Sequence, residues 1–134
     1  MKRILIMGLP GAGKTYLAQH VLEHLQNNRK TVMWLNADDV RKKYNDWDFS
    51  HEGRIRQSLR MRELADSYDV DYVICDFVAP LVEMRNNFKA DWTIWMDTID
   101  AGDLGYCKFL KFKCAAKRTC DAWVEGGPIT NENQ

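Results

Sequence analysis

The chain has 134 residues, with 19 Lys plus Arg balancing 19 Asp plus Glu, so it is sized for one domain and has no overall field to draw in duplex nucleic acid or an anionic membrane. No apolar run approaches the roughly 20 residues of a membrane span, which gives the expectation of a cytoplasmic protein with no membrane partner. Cys107, Cys114 and Cys120 lack C-x-x-C spacing and the histidines His20, His24 and His51 lie far from them, which argues against zinc, while Cys75 falls inside an apolar run.

Residues 3–7 (Arg-Ile-Leu-Ile-Met) form a short apolar run expected to be a buried parallel strand, and residues 16–26 repeat apolar side chains at helical spacing. Between them stands Gly8-Leu-Pro-Gly-Ala-Gly-Lys-Thr15, a match to the phosphate-binding pattern G-x-x-x-x-G-K-S/T in its required strand-loop-helix context. Gly8, Gly11, Ala12 and Gly13 would cradle nucleotide phosphates with backbone N–H groups at a helix N-terminus. Lys14 would reach the β- and γ-phosphates and the Thr15 hydroxyl would ligate Mg²⁺, making ATP and Mg²⁺ the expected cofactors.

A second strand is expected over 31–35 and a helix from Ser50, with Ile55, Leu59, Leu64 and Ala65 as its apolar stripe and Gly53 as a mild cost. Residues 71–77 read as a third strand, 81–88 as a short helix and 92–96 as a fourth strand. Strands alternating with helices imply an α/β fold with a parallel sheet covered on both faces, and ligands gather at the carboxyl ends of such strands.

Asp38 and Asp39 follow the second strand. Asp38 is the candidate catalytic base or metal carboxylate, whereas Asp39 is read as capping the next helix. Asp76 ends the third strand, a common position for a carboxylate near Mg²⁺ and also for a turn-forming Asp. Among the arginines, Arg56, Arg60 and Arg62 are read as a solvated helix face, and Arg41 and Arg54 as a second anion site near the strand ends. Phe49 is a candidate for stacking on a nucleobase.

Four segments together resemble the adenylylsulfate kinases, which phosphorylate the 3′-hydroxyl of adenosine 5′-phosphosulfate with ATP. The phosphate loop resembles the family's G-L-S-G-A-G-K-S. Leu35-Asn-Ala-Asp-Asp-Val-Arg41 resembles L-D-G-D-N-V-R, with Asn36 in place of the first acid. Asp48-Phe-Ser-His-Glu-Gly-Arg54 resembles G-F-S-x-x-D-R, and Asp76-Phe-Val-Ala-Pro80 resembles S-F-I-S-P, with Asp76 where a small hydroxyl residue is usual. The resemblance implies Phe49 on the substrate adenine, Arg54 on its phosphosulfate, Arg41 nearby, and Gln57, Phe77 and Pro80 as further substrate contacts. Arg85 matches a following arginine.

The likeness covers residues 1–99. It implies a P-loop NTPase-type three-layer sandwich, with residues 1–99 as the kinase core and 100–134 as a divergent segment of the same domain, a short basic lid or a tail. The family's lid, Pro-Pro turn, final strand and helix are not recognisable in that segment, so a sheet cut short at its C-terminal edge is left open. The function implied is transfer of phosphate from ATP to adenosine 5′-phosphosulfate in sulfate activation, with that nucleotide as the small-molecule partner and a homodimer left open. The alternatives are a P-loop kinase acting on another small hydroxyl compound or a polynucleotide 5′ end, and an ATP-binding protein without turnover.

Overall fold

The structure, a computed structural model, describes residues 1–9, 11–79, 81–97 and 122–125. In chain order these form β1 (Lys2–Met7), α1 (Lys14–Asn27), β2 (Val32–Asn36), α2 (Ala37–Tyr44), α3 (His51–Asp66), β3 (Tyr72–Phe77), α4 (Val82–Phe88), β4 (Trp92–Asp97) and β5 (Ala122–Glu125). Every pairing in the sheet is parallel and the strand order is β2-β3-β1-β4-β5. The expected α/β architecture is therefore present. Among the described residues, no helix is long and apolar enough to cross a membrane.

The continuous hydrophobicity of β1 has a direct physical reason. Leu5 and Met7 point to one face of the sheet, where they pack with Met61 and Ala65 of α3 and Met84 and Phe88 of α4. Ile4 and Ile6 point to the other, where Ala18 of α1 and Met96 of β4 cover them. A central strand covered on both sides has no solvent face to fill with polar residues. Cys75 lies in the first of these clusters, fully buried and reduced, and burial pushes its thiol well above the ordinary value.

Three expectations are corrected or completed. The sheet does not stop at the fourth strand, because residues 122–125 pair with β4 in parallel, Ile94 opposite Ala122 and Asp97 opposite Glu125. Helix α2 was expected only as the element that Asp39 would cap, without bounds, since its eight residues are mostly charged and only Val40 and Arg41 are buried. On α3 the buried stripe is Gly53, Arg54, Gln57, Ser58, Met61 and Ala65, while Leu59 is half exposed. Ile55, Leu64 and Ala65 of the expected stripe do pack in or against the core, and Arg54 and Gln57 are buried beside them where the helix borders the cleft.

Ser50 caps α3 as expected, its hydroxyl accepting the Gly53 N–H at 3.2 Å. Gly53 is more than a tolerated weakness: a Cβ there would overlap the carbonyl and side chain of Asp48. The 46–50 loop can thus fold tightly back over the first turn of α3, and this close approach sets Phe49 at the mouth of the cleft. Residues 98–121 and 126–134, with the proposed basic lid and Cys107, Cys114 and Cys120, lie outside the described residues.

Candidate active site

The carboxyl ends of β1, β2 and β3 open into a cleft of about 560 Å³. It is lined on one side by the phosphate loop, between the sides by Asn36 and Asp76 at the strand ends, and on the other by Asp38, Arg41, Phe49, Arg54 and Gln57 of α2, α3 and the loop joining them. Sequence segments nearly seventy positions apart converge here because all three strands run parallel and end at the same level.

Gly13 caps α1 in the left-handed conformation, φ 94° and ψ 18°, and no side chain caps that helix. Its first turn is therefore directed at the cleft with the positive end of the helix dipole. Lys14 donates from Nζ to the Leu9 carbonyl at 2.9 Å, folding back over its own loop. Burial draws the Lys14 ammonium down to about 8, with Asp76 and then Asp38 opposing the shift. Gly11, Gly13, Lys14 and Thr15 line the cleft, whereas Ala12 is buried beneath it beside Ile6 and Met96. Gly8 is not among the lining residues, and a Cβ there would meet the Met96 carbonyl oxygen at 2.7 Å.

Asp76 is 2% exposed and receives hydrogen bonds from three side chains. Thr15 Oγ1 donates to Oδ2 at 3.1 Å, Trp34 Nε1 to Oδ1 at 2.9 Å, and Asn36 Nδ2 to Oδ2 at 3.0 Å and Oδ1 at 3.2 Å. Burial pushes this carboxyl above the ordinary range, while the bonds from Trp34, Thr15 and Asn36 and the charge of Lys14 pull it back. Asp38 is exposed on the first turn of α2 and faces the same cleft. Asn36, rather than the paired acids, caps α2: its Oδ1 accepts the Asp39 N–H at 3.1 Å. That corrects the reading of Asp39 as a cap.

Thr15, Asp38 and Asp76 offer hard oxygen donors, the kind Mg²⁺ takes when one or two carboxylates share it with nucleotide phosphates. Among the described residues, no group of three or more His, Cys, Asp or Glu side chains is arranged to hold a metal ion. The donor set therefore suits a cation brought in on a nucleotide.

On the opposite wall Phe49, 47% exposed, has the Arg41 guanidinium 4.3 Å and the Arg54 guanidinium 5.3 Å from its ring centroid. Arg41 and Arg54 are themselves buried. Arg41 Nη1 donates to the carbonyls of Asp46 at 2.9 Å and Asp48 at 3.3 Å, and Arg54 Nε donates to the Phe49 carbonyl at 3.0 Å. The loop carrying Phe49 is thus wrapped around two cations that also border the cleft.

Gln57 lines the cleft but commits its amide N–H to the Ala37 carbonyl at 3.1 Å, bracing α3 against the start of α2. Phe77 is 4% exposed and meets Phe88 edge to face in the core, so it borders the cleft from below. Pro80 lies outside the described residues. Arg85 is turned inward, donating from Nε to the Ala79 carbonyl at 3.1 Å. Arg56 and Arg60 engage Asp46, and Arg62 lies 3.7 Å from Asp66, all outside the cleft lining. Trp34 is the site residue that sequence reasoning missed, since only the strand register brings it to Asp76.

A family model described as adenylylsulphate kinase matches residues 2–99. The chain belongs to this family. It is also 31% identical over 62 residues to the cytidine diphosphoramidate kinase of Campylobacter jejuni, a match spanning 46% of this chain and 36% of that enzyme. The chain thus matches only about a third of the length of that curated relative. Among solved structures, the Mycobacterium tuberculosis APS kinase CysC in complex with AMPPNP and APS is similar at a TM-score of 0.63 and 20% identity, over 97% of this chain and 82% of that one. Shikimate kinase from Aquifex aeolicus is similar at a TM-score of 0.66 and 17% identity, over 97% of this chain and 89% of that one. The family member thus has the fold of small P-loop kinases.

Proposed function

We propose that the protein transfers the γ-phosphoryl group of Mg-ATP to the 3′-hydroxyl of adenosine 5′-phosphosulfate. The observation that carries this reading is the placement of Phe49, Arg41 and Arg54 across one cleft from the phosphate loop. The phosphate loop holds the donor, the half-exposed ring offers a face for the acceptor base, and the guanidinium groups suit its phosphosulfate.

In this reading Lys14 leaves the Leu9 carbonyl to meet the β- and γ-phosphate oxygens. Thr15, Asp76 and Asp38 would hold the Mg²⁺, which would offset the charge of the triphosphate. The acceptor oxygen bonds to the γ-phosphorus as the bond to the β–γ bridging oxygen breaks, ADP departs, and Asp38 takes the hydroxyl proton. The rate gain comes mainly from alignment and charge stabilisation.

A second reading has a cytidine nucleotide as acceptor, favoured by the partial likeness to the Campylobacter enzyme. Stacking on Phe49 would serve either base. Transfer of labelled γ-phosphate to adenosine 5′-phosphosulfate and to cytidine diphosphate compounds, in parallel, tests both. Product with the adenylyl acceptor, lost in Asp38→Asn and Lys14→Ala proteins, supports the first; product with the cytidine acceptor alone replaces it. ATP binding without transfer to either acceptor leaves a nucleotide-binding protein without this turnover.

A further inference from the structure

Beyond Asp76 the chain turns through Phe77, Val78 and Ala79, which line the cleft together with Met84 of α4. Ala79 takes a positive φ of 47°, a region that a residue carrying a Cβ seldom enters. Pro80 follows it in the sequence, and the residue before a proline is pushed toward extended backbone. A conformation disfavoured on both counts persists only where neighbouring groups hold it.

The hold comes from α4. Arg85, 8% exposed, donates from Nε to the Ala79 carbonyl at 3.1 Å. Its backbone N–H donates to the Leu81 carbonyl at 3.4 Å, so the same residue ties the start of α4 to the chain just after Ala79. Ala79 itself is fully buried in the cluster that contains Phe77, Met84 and Phe88. Arg85 does not line the cleft and acts on that wall through Ala79. The wall belongs to one side in particular. Ala79 and Met84 share their core cluster with Met61 and Ala65 of α3, the helix that carries Arg54 and Gln57, whereas Ala18 of α1 lies in the other cluster.

We propose that Arg85 is a positioning residue for the phosphoryl acceptor, holding the turn at 77–79 in the shape that bounds the α3 side of the cleft. Without the bond the turn spends part of its time extended, and apparent acceptor affinity falls with the fraction that keeps the held shape. The inference rests on the proposed function and applies to either acceptor base.

Two substitutions separate the Nε–H from the charge. Lysine keeps the charge but has a methylene where arginine has its Nε–H, and glutamine drops the charge but has an amide nitrogen there. Steady-state kinetics of Arg85→Lys and Arg85→Gln use adenosine 5′-phosphosulfate or cytidine diphosphate, whichever the parent phosphorylates, with acceptor and ATP varied in turn and melting temperatures recorded. The expected result is an acceptor KM raised about tenfold in Arg85→Lys but only within about threefold in Arg85→Gln, with the ATP KM within about twofold of the parent in both. An Arg85→Lys protein with the parent's acceptor KM, an Arg85→Gln protein as impaired as Arg85→Lys, or a joint rise of both KM values overturns the inference. A variant too unstable to assay is replaced by Arg85→Lys on an Ala79→Gly background, where a positive φ is free of strain. There, a change in acceptor KM below about threefold relative to Ala79→Gly supports the hold, and a rise of about tenfold overturns it. A parent that phosphorylates neither compound overturns the proposed function and this inference with it, so the two failures are distinct.

Discussion

The Thr15 hydroxyl donates to the Asp76 carboxylate at 3.1 Å, joining the first turn of α1 to the last turn of sheet before the cleft. As the donor in this bond, the hydroxyl keeps its oxygen lone pairs for other partners. Thr15→Ser, which keeps the hydroxyl, should bind Mg-ATP within about threefold of the parent, and Thr15→Val should lose about tenfold or more. Both should bind metal-free ATP alike. Titration of the two variants with and without Mg²⁺ checks the expectation.

Phe49 presents its ring to solvent while two guanidinium groups fix the loop around it. Removing the ring should cost the acceptor about 1–3 kcal/mol of stacking, raising its KM by roughly 5- to 100-fold. The KM for ATP should hardly change, because the phosphate loop is on the other wall. Steady-state kinetics of Phe49→Ala, with each substrate varied in turn, separates the effects.

Lys14 in the ligand-free protein loses its proton near pH 8 instead of above pH 10. ATP favours the charged amine, so binding is at full strength below about 8 and weakens as pH rises through that value. The opposite sign applies to folding. Because the folded state holds the proton less tightly than the unfolded chain, Lys14 lowers stability at neutral pH, and that penalty fades between about 8 and 10.5. Lys14→Met should therefore bind ATP at least tenfold more weakly yet melt at or above the parent temperature at pH 7. Calorimetry across pH and thermal melts of the variant measure both.

Asp46 receives Arg56 at 2.8 Å and Arg60 at 3.1 Å, while its carbonyl receives Arg41. The Arg56 hydrogen bond foremost holds the Asp46 carboxyl well below the usual range. A carboxyl depressed in the folded state contributes stability that is present above the unfolded value near 3.8 and is lost as pH falls below it. Asp46→Asn should lower the melting temperature at pH 7 and narrow the gap to the parent in acid. It should also raise the acceptor KM, since the loop it anchors orients Phe49. Melting curves at several pH values, paired with kinetics, read both effects.

Gly53→Ala should destabilise the fold by about 1–3 kcal/mol, because the added methyl meets the Asp48 carbonyl in a close-packed turn. Ordinary helix propensity predicts the reverse sign. Denaturant unfolding of the variant decides between them.

The phosphate loop and β1, β3 and β4 were legible from sequence because a buried parallel strand writes itself as an unbroken apolar run and the loop has fixed glycine spacing. Arg41, Arg54 and Phe49 were also found as candidates, and the structure brings them into one cleft. The extent of helix α2 was hidden by its charge. On α3 apolar spacing found Ile55, Leu64 and Ala65, whereas the burial of Gln57 and Ser58 among them leaves no trace in an apolar pattern. Trp34 could not be connected to Asp76 by spacing, since the two lie 42 positions apart and meet only through the pairing of β2 with β3.

The bond from Lys14 to the Leu9 carbonyl means that the phosphate loop closes a circuit with itself. An arriving anion must displace an existing partner of the lysine, so the net heat of that contact is an exchange, smaller than a new ionic bond would give. The compensation is geometric: the bond holds the lysine within its own loop, at the lining of the cleft. Stray small anions then gain little from this lysine alone, and a polyphosphate that engages the whole loop gains more.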